Sequence, residues 1–368
     1  RAGTSALKDA LENSSRTSLL LAADKRPVKP ASVQEMKYGD GAAAFLVGSG
    51  AVMARYLGGA SIVADLVDHY RTSQSGTDYA VEERWLRDEG IVKLLPEAIT
   101  ATLNAAGQTA DKIDHVVVPF APRLVAKALA KAGLADSRLS DALYDDVGDA
   151  GAAHPLLMLA HALHSANPGE RLLLIGFGQG VDGLVFEATD HIHALHESGL
   201  FPLPRVEDGN YLKFLSFNGQ INLEWGIRAE RDNRTALSAF YRKRHAVTGF
   251  VGGMCKDCDT AQFPKSRVCV NCGAVDAQVD HGFCDSLGRI KTFTEDWQAH
   301  TPCPPLVYGN VAFEEGGNLF MEMTDCQPGS FAVGDPLRMV FRIKDIDERR
   351  GFRRYFWKAR ALSKSTGG

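Results

Sequence analysis

Two cysteine pairs, Cys255-x2-Cys258 and Cys269-x2-Cys272, constrain this chain more than any other feature. Each pair can present two thiolates to one metal ion from a tight turn. Four thiolates complete a tetrahedral site with no open position. Ten residues, 259 to 268, separate the pairs, a short ribbon spacing. Asp259 and Gly273 directly follow the pairs and suit turns that aim backbone amides at sulfur. The reading is a structural Zn2+ held by Cys255, Cys258, Cys269 and Cys272. The alternatives are iron in the same thiolate set or two disulfides, and the missing secretory signal disfavours disulfides. The seven cysteines also include the isolated Cys284, Cys303 and Cys326, expected to be small buried hydrophobes.

The chain around this cluster changes character twice. Residues 1–190 alternate strand and helix signals, which implies layered α/β structure. Ser18–Ala23 and Gly41–Gly48 are short apolar runs, as expected of strands buried on both faces. Helical patterns cover Ser5–Asn13, Val92–Ala106, Arg123–Ala132 and Leu156–Ala166. Strands are expected at His115–Val118, Leu172–Phe177 and Leu184–Ala188, the last two joined by Gly178-Gln179-Gly180. This GxGxG joins strand to strand, so the dinucleotide fingerprint fails. Residues 191–250, with Pro202, Pro204 and Trp225, are a connector ending in a polar helix near Arg234–Arg244. Residues 251–282 hold the ribbon, and 283–368 are β-rich. There Gly316-Gly317 separates Val311–Phe313 from Leu319–Met323, a hairpin signal. About five short strands after the cysteines amount to a small barrel.

Forty-one Lys+Arg against 45 Asp+Glu leave a net charge of -4. That argues against a dedicated nucleic-acid binder, which needs a basic excess. Apolar stretches such as Leu172–Phe177 fall far short of the ~20 residues that span a bilayer. The chain opens Arg1-Ala2-Gly3-Thr4, with neither the basic nor the apolar region of a signal peptide. A cytoplasmic protein is expected, with a segment preceding Arg1.

The order "QFPKSRVCVNCG", "GRIKTFT", hairpin and "VGDPLRMVF" resembles the rubredoxin-like zinc-ribbon plus OB-fold family that accompanies thiolases and HMG-CoA synthases. The likeness covers about residues 240–362. It implies contact with a thiolase-type subunit and a part in holding or channelling CoA thioesters. The tail is locally basic, with Arg349, Arg350, Arg353, Arg354, Lys358 and Arg360. Arg353, Arg354 and Lys358 are the candidates for CoA phosphates; a solvated edge strand is the plainer reading.

Residues 1–190 resemble much of a thiolase-superfamily domain of the HMG-CoA synthase and ketoacyl synthase III type. The resemblance is carried by "RAGTSALKDAL", "LLLAADKRP", "YGDGAAAFLVG", "VDHYRTSQSGTDYAVEERW", "VGDAGAAHPLLMLAHAL" and "LLLIGFGQGVDGLVFEAT". The implied architecture is a partial α/β thiolase-like layered fold followed by a zinc ribbon and a small all-β OB-fold barrel. The implied chemistry is carbon–carbon bond formation or cleavage on acyl-CoA, with CoA thioester as substrate. In that family a Cys takes the acyl group, while a His and an Asn move protons and hold the oxyanion.

Here the Cys position falls before Arg1. The strand expected to carry His reads Val117-Val118-Pro119-Phe120-Ala121-Pro122, and the Gly-Asn pair reads Gly148-Asp149. Asp149 and, five residues on, His154 are therefore the candidates for catalytic work. A packing role at a helix entry is the plainer reading of His154. Asp40 is expected to fix a turn. His161, His164, His191, His193 and His196 read as surface histidines. Two functions follow: acyl-CoA carbon–carbon chemistry in a multi-subunit complex, or a non-catalytic scaffold and CoA-channelling subunit for a partner thiolase. A dimer or hetero-oligomer is expected, with no nucleic acid and no membrane.

Overall fold

The computed structural model describes residues 1–13, 16–196, 207–224, 236–301, 303–347 and 350–362. Pro202, Pro204, Trp225, Arg234, Arg349 and the tail after Leu362 lie outside the described residues. The chain forms two compact units, Arg1–Leu203 with Asn210–Asn222, and Pro204–Gly209 with Leu223–Gly368.

The first unit is built on a five-stranded mixed sheet. Its strands are β3 (Ala54–Val63), β6 (His115–Val117), β7 (Arg138–Leu139), β8 (Arg171–Phe177) and β9 (Gly180–Ala188), in the order β3-β9-β8-β6-β7. Strand β8 lies in the middle, parallel to β6 and antiparallel to β9. Its side chains alternate between faces with period two. Leu173 and Ile175 pack toward helices α2 (Leu95–Ala105) and α3 (Pro122–Lys131), against Leu95, Ile99, Val125 and Leu129. Leu172 and Leu174 pack toward α1 (Ala2–Glu12) and α4 (His154–Ser165), against Leu7, Leu156, Leu159 and Leu163. Leu172 through Ile175 are wholly buried, as the continuous apolar run requires of a strand covered on both faces. The helix expected over Val92–Ala106 begins earlier, through a π-helical stretch at Leu86–Leu94.

The other two early strands depart from expectation. β1 (Ser18–Asp24) and β2 (Gly41–Val47) form a separate antiparallel pair. Only one face is covered, by α1 and α4 residues that meet Leu20, Ala22, Ala43 and Phe45. On the other, Leu19 is 63%, Leu21 69% and Leu46 75% exposed. An apolar run records a strand's taste for burial; whether a second layer covers it is not a local property. A short hairpin, β4 (His69–Thr72) with β5 (Ser75–Ala80), completes the strands of this unit.

In the second unit β10 (Val251–Cys255), β11 (Ala261–Gln262) and β12 (Gln278–Gly282) make the ribbon sheet. Five strands follow: β13 (Gly288–Asp296), β14 (Leu306–Phe313), β15 (Asn318–Glu322), β16 (Pro336–Asp347) and β17 (Phe352–Ala361). They run β15-β14-β13-β16-β17, and Met323 pairs in parallel with Ala359 to bring the two edges together. That closure is the OB barrel. Gly316-Gly317 forms the expected β14–β15 turn, with Phe313 N–H donating to Gly317 O at 3.1 Å. Ribbon and barrel share one core, in which Phe250 and Phe283 join Val311, Phe313, Leu337 and Met339. The remaining cysteines differ from expectation: Cys303 is exposed, and Cys284 and Cys326 are half-buried. No described helix is long and apolar enough to cross a membrane.

Candidate functional site

The ribbon cysteines lie on two similar turns. Asp259 N–H donates to Cys255 O, and Gly273 N–H donates to Cys269 O. Likewise Cys255 N–H donates to Thr260 O and Cys269 N–H to Ala274 O. Asp259 (φ 53°) and Gly273 (φ 75°) both take the left-handed conformation that ends each turn. These bonds bring four sulfurs within 4.8 Å of one another. Cys255 and Cys272 Sγ are 3.7 Å apart, and Cys258 and Cys269 Sγ 3.6 Å. A metal with ~2.3 Å bonds to sulfur needs tetrahedral edges of about 3.8 Å, whereas a disulfide needs about 2.05 Å. The residues fit a metal ion, and the disulfide alternative falls. Thr260 Oγ1, 3.2 Å from Cys258 Sγ, draws that thiol down to about 6, whereas Cys272 in the same cluster is pushed up. Cys255 and Cys269 are buried, Cys258 is half-buried and Cys272 is exposed. Among the described residues no other group of His, Cys, Asp and Glu converges in this way.

A second polar centre lies in the first unit, where two of the sequence motifs meet. Tyr38 forms a parallel bridge with Asp149, Gly39 N–H donates to Asp149 O at 3.1 Å, and Asp149 N–H donates to Lys37 O at 2.8 Å. A side chain at Gly39 would collide with Val147 O at 1.8 Å, so this close approach demands glycine. Asp40 Oδ1 accepts the Arg26 backbone N–H at 3.0 Å, a turn-fixing contact. Arg26 is the residue that sequence reasoning missed. Its side chain is 3% exposed and pairs with the fully buried Asp78 at 2.9 Å and with Asp149 at 2.8 Å. It also stacks on Tyr38, 3.4 Å from the ring centroid, and Arg71 adds a second cation to Asp78 and to Asp24. An arginine that follows Lys25 in a polar stretch carries no sequence signal of burial.

The two catalytic candidates have different fates. The Asp149 carboxylate is held from both sides, by Arg26 at Oδ2 and by Gly151 N–H at Oδ1, 2.9 Å. His154 is 1% exposed and stacks on Tyr144 with centroids 5.1 Å apart and planes 4° from parallel. Its Nδ1 accepts from Ala150 N–H at 3.4 Å, and Nε2 is buried without a hydrogen-bond partner. Burial pushes its pKa below 6.5, so the neutral ring is favoured. Both groups belong to the same entry into α4.

The basic tail is largely paired. Lys358 lies 2.7 Å from Glu322, Arg350 lies 2.7 Å from Asp347, and Arg360 lies 3.8 Å from Asp325. Arg354 bonds Asp345, Lys344 bonds Glu322, and Arg353 is exposed. Burial would raise the Glu322 pKa, but its two lysines outweigh that and hold it below the usual carboxylate range. Among the histidines, His164 and His196 come within ring contact, 5.7 Å between centroids.

Two separate parts of the chain match known protein families. Residues 103–186 match the C-terminal domain of 3-oxoacyl-[acyl-carrier-protein] synthase III. Residues 249–276 match the ChsH2 rubredoxin-like zinc ribbon domain. A DUF35 domain-containing scaffold protein of Methanothermobacter thermautotrophicus is 30% identical over 97 residues, 25% of this chain and 70% of the relative. Its counterpart in Methanocaldococcus jannaschii is 24% identical over 118 residues, 30% of this chain and 81% of that one. Among solved structures, 3-oxoacyl-(acyl carrier protein) synthase III of Pseudomonas aeruginosa PAO1 matches with a TM-score of 0.43 and 21% identity. That match covers 51% of this chain and 62% of the synthase. Residues 103–186 of the first unit thus match the C-terminal domain of ketoacyl synthase III, and the chain belongs to the DUF35 family, its zinc ribbon lying in the second unit.

Proposed function

We propose that this protein takes part in acyl-CoA carbon–carbon bond chemistry, as a subunit of a thiolase-type assembly. The observation that carries the reading is the polar centre of the first unit. In a domain of the ketoacyl synthase III type, the Tyr38–Asp40 and Gly148–Asp149 motifs converge on the buried Arg26. Buried charges of this kind are costly, and perturbed charged groups cluster at functional sites. Asp149 offers only acceptor oxygens, so it orients rather than donates to an oxyanion. His154 stays neutral and holds the α4 entry. Unit two would hold Zn2+ in its four thiolates as a structural ion. It would also serve as the docking module, as the scaffold name of its relatives supports.

A second reading, a purely non-catalytic scaffold and CoA-channelling subunit, is favoured by the clamped Asp149 and the entombed His154. Calorimetric titration with acetyl-CoA, alone and with a co-expressed thiolase subunit, separates the outcomes. The expected result is binding by this chain and turnover in the complex that falls on Asp149→Ala. Turnover indifferent to that change supports the scaffold. Absence of any acetyl-CoA binding refutes the acyl-CoA role itself.

A further inference from the structure

Asp68 and His69 open the β4–β5 hairpin and stand outside every role described above. His69 Nδ1 lies 2.8 Å from Asp68 Oδ2. The pair is neither entombed nor fully solvated: the Asp68 side chain is 20% exposed and that of His69 36%. The pair also has a fixed address. A side chain built on Gly178, which sits at φ 137°, would come within 3.7 and 3.9 Å of the two Asp68 oxygens and 2.9 Å of the Arg1 nitrogen. Ala64 N–H donates to Gln179 O, tying the segment that leads to the pair to that same turn, and Val81 N–H, just past the hairpin's far strand, donates to Asp68 O. So the dyad, the start of α1 and the glycine turn between β8 and β9 meet at one place.

Chemically the arrangement is that of an oriented base. A carboxylate on Nδ1–H fixes the tautomer whose lone pair is on Nε2. Among the described contacts Nε2 has no hydrogen bond. The hydrogen bond that His69 donates to Asp68 raises the His69 pKa above 6.5, against the opposing pull of burial. Arg26 lowers it and Asp78 raises it. A base with a pKa near the working pH combines availability with driving force. The other candidates lack this: His154 is sealed against Tyr144, and Asp149, paired with Arg26 and Gly151 N–H, is an acceptor that orients rather than a base.

We propose that His69, oriented by Asp68, is the proton-transfer group of this domain, acting on the α-carbon of an acyl thioester held beside the Gly178 turn. The α-proton passes to Nε2, and the C–H electron pair moves into the thioester to give an enolate. The imidazolium then returns a proton to carbon. This rests on the acyl-CoA reading above.

The test is exchange of the acetyl protons of acetyl-CoA in D2O, followed by NMR with the full chain, alongside calorimetric binding. Wild type is expected to wash deuterium into the acetyl group. His69→Gln is expected to slow exchange by ~100-fold or more while still binding acetyl-CoA. Asp68→Asn is expected to move the pH profile of exchange, and the titration of the His69 C2 proton, to lower pH. Binding without exchange, or exchange unaltered by His69→Gln, overturns the dyad and leaves the acyl-CoA reading standing. No binding by wild type overturns both. A His69 signal that titrates at the same pH in Asp68→Asn overturns the orienting role whatever the exchange rate.

Discussion

Arg26 and Asp78 form a buried ion pair, Nε to Oδ2 at 2.9 Å, between residues 52 positions apart in the chain. Asp149 meets the same guanidinium at 2.8 Å from a third segment. Three stretches of the first unit are thus pinned by one side chain. Arg26→Ala would leave Asp78 buried and facing only Arg71. We expect a loss of about 3–5 kcal/mol, the cost of breaking a buried pair from one side, read as a lower urea midpoint. A variant as stable as wild type would contradict the pinning role.

The ribbon should depend on its metal. Elemental analysis is expected to find one zinc per chain, and Cys255→Ser or Cys269→Ser to abolish it. Structural zinc contributes ~10 kcal/mol or more to folding, so chelation should erase the ordered NMR signals of residues 251–282. Metal-free protein with an intact ribbon would defeat this.

His154 predicts a pH dependence with a definite sign. Its pKa is depressed in the folded state, so the unfolded chain takes up the proton first. The stability it contributes is complete above about pH 6.5 and is lost as pH falls below that value. The urea midpoint should fall between about pH 7 and pH 5, and fall less in His154→Phe, which fills the space without titrating. Equal slopes would contradict the assignment.

The exposed row of Leu19, Leu21 and Leu46 is expected to mediate association, since apolar surface of this kind rarely stays bare. Leu21→Ser should weaken association in sedimentation while changing the melting temperature little, because the side chain is already exposed. Unchanged sedimentation would remove this face from the assembly.

Single-stranded DNA is expected not to bind the barrel. The net charge is -4, and Arg350, Arg354, Lys358 and Arg360 each have a carboxylate partner. Micromolar binding that weakens steeply with salt would reopen a nucleic-acid role.

Features with local causes were legible along the chain. Two CxxC turns need only a few residues each, so the clustering of the four cysteines, the turns at Asp259 and Gly273, and the Gly316-Gly317 hairpin could all be read directly. The buried run Leu172–Ile175 likewise declared the central strand. Only the tertiary structure decided the rest, because it depends on which distant segments share a face. SLLLAA is as apolar as the central strand, yet Leu19 and Leu21 lie open since no described layer covers them. Asp149 reads as a lone acid in the chain, and only folding pairs it with Arg26; Asp68–His69 is an ordinary polar pair until folding sets it beside Gly178. Spacing along a chain encodes turns and periodicity. The company a charge keeps is set by long-range packing, and that is where the chemistry of this first unit resides.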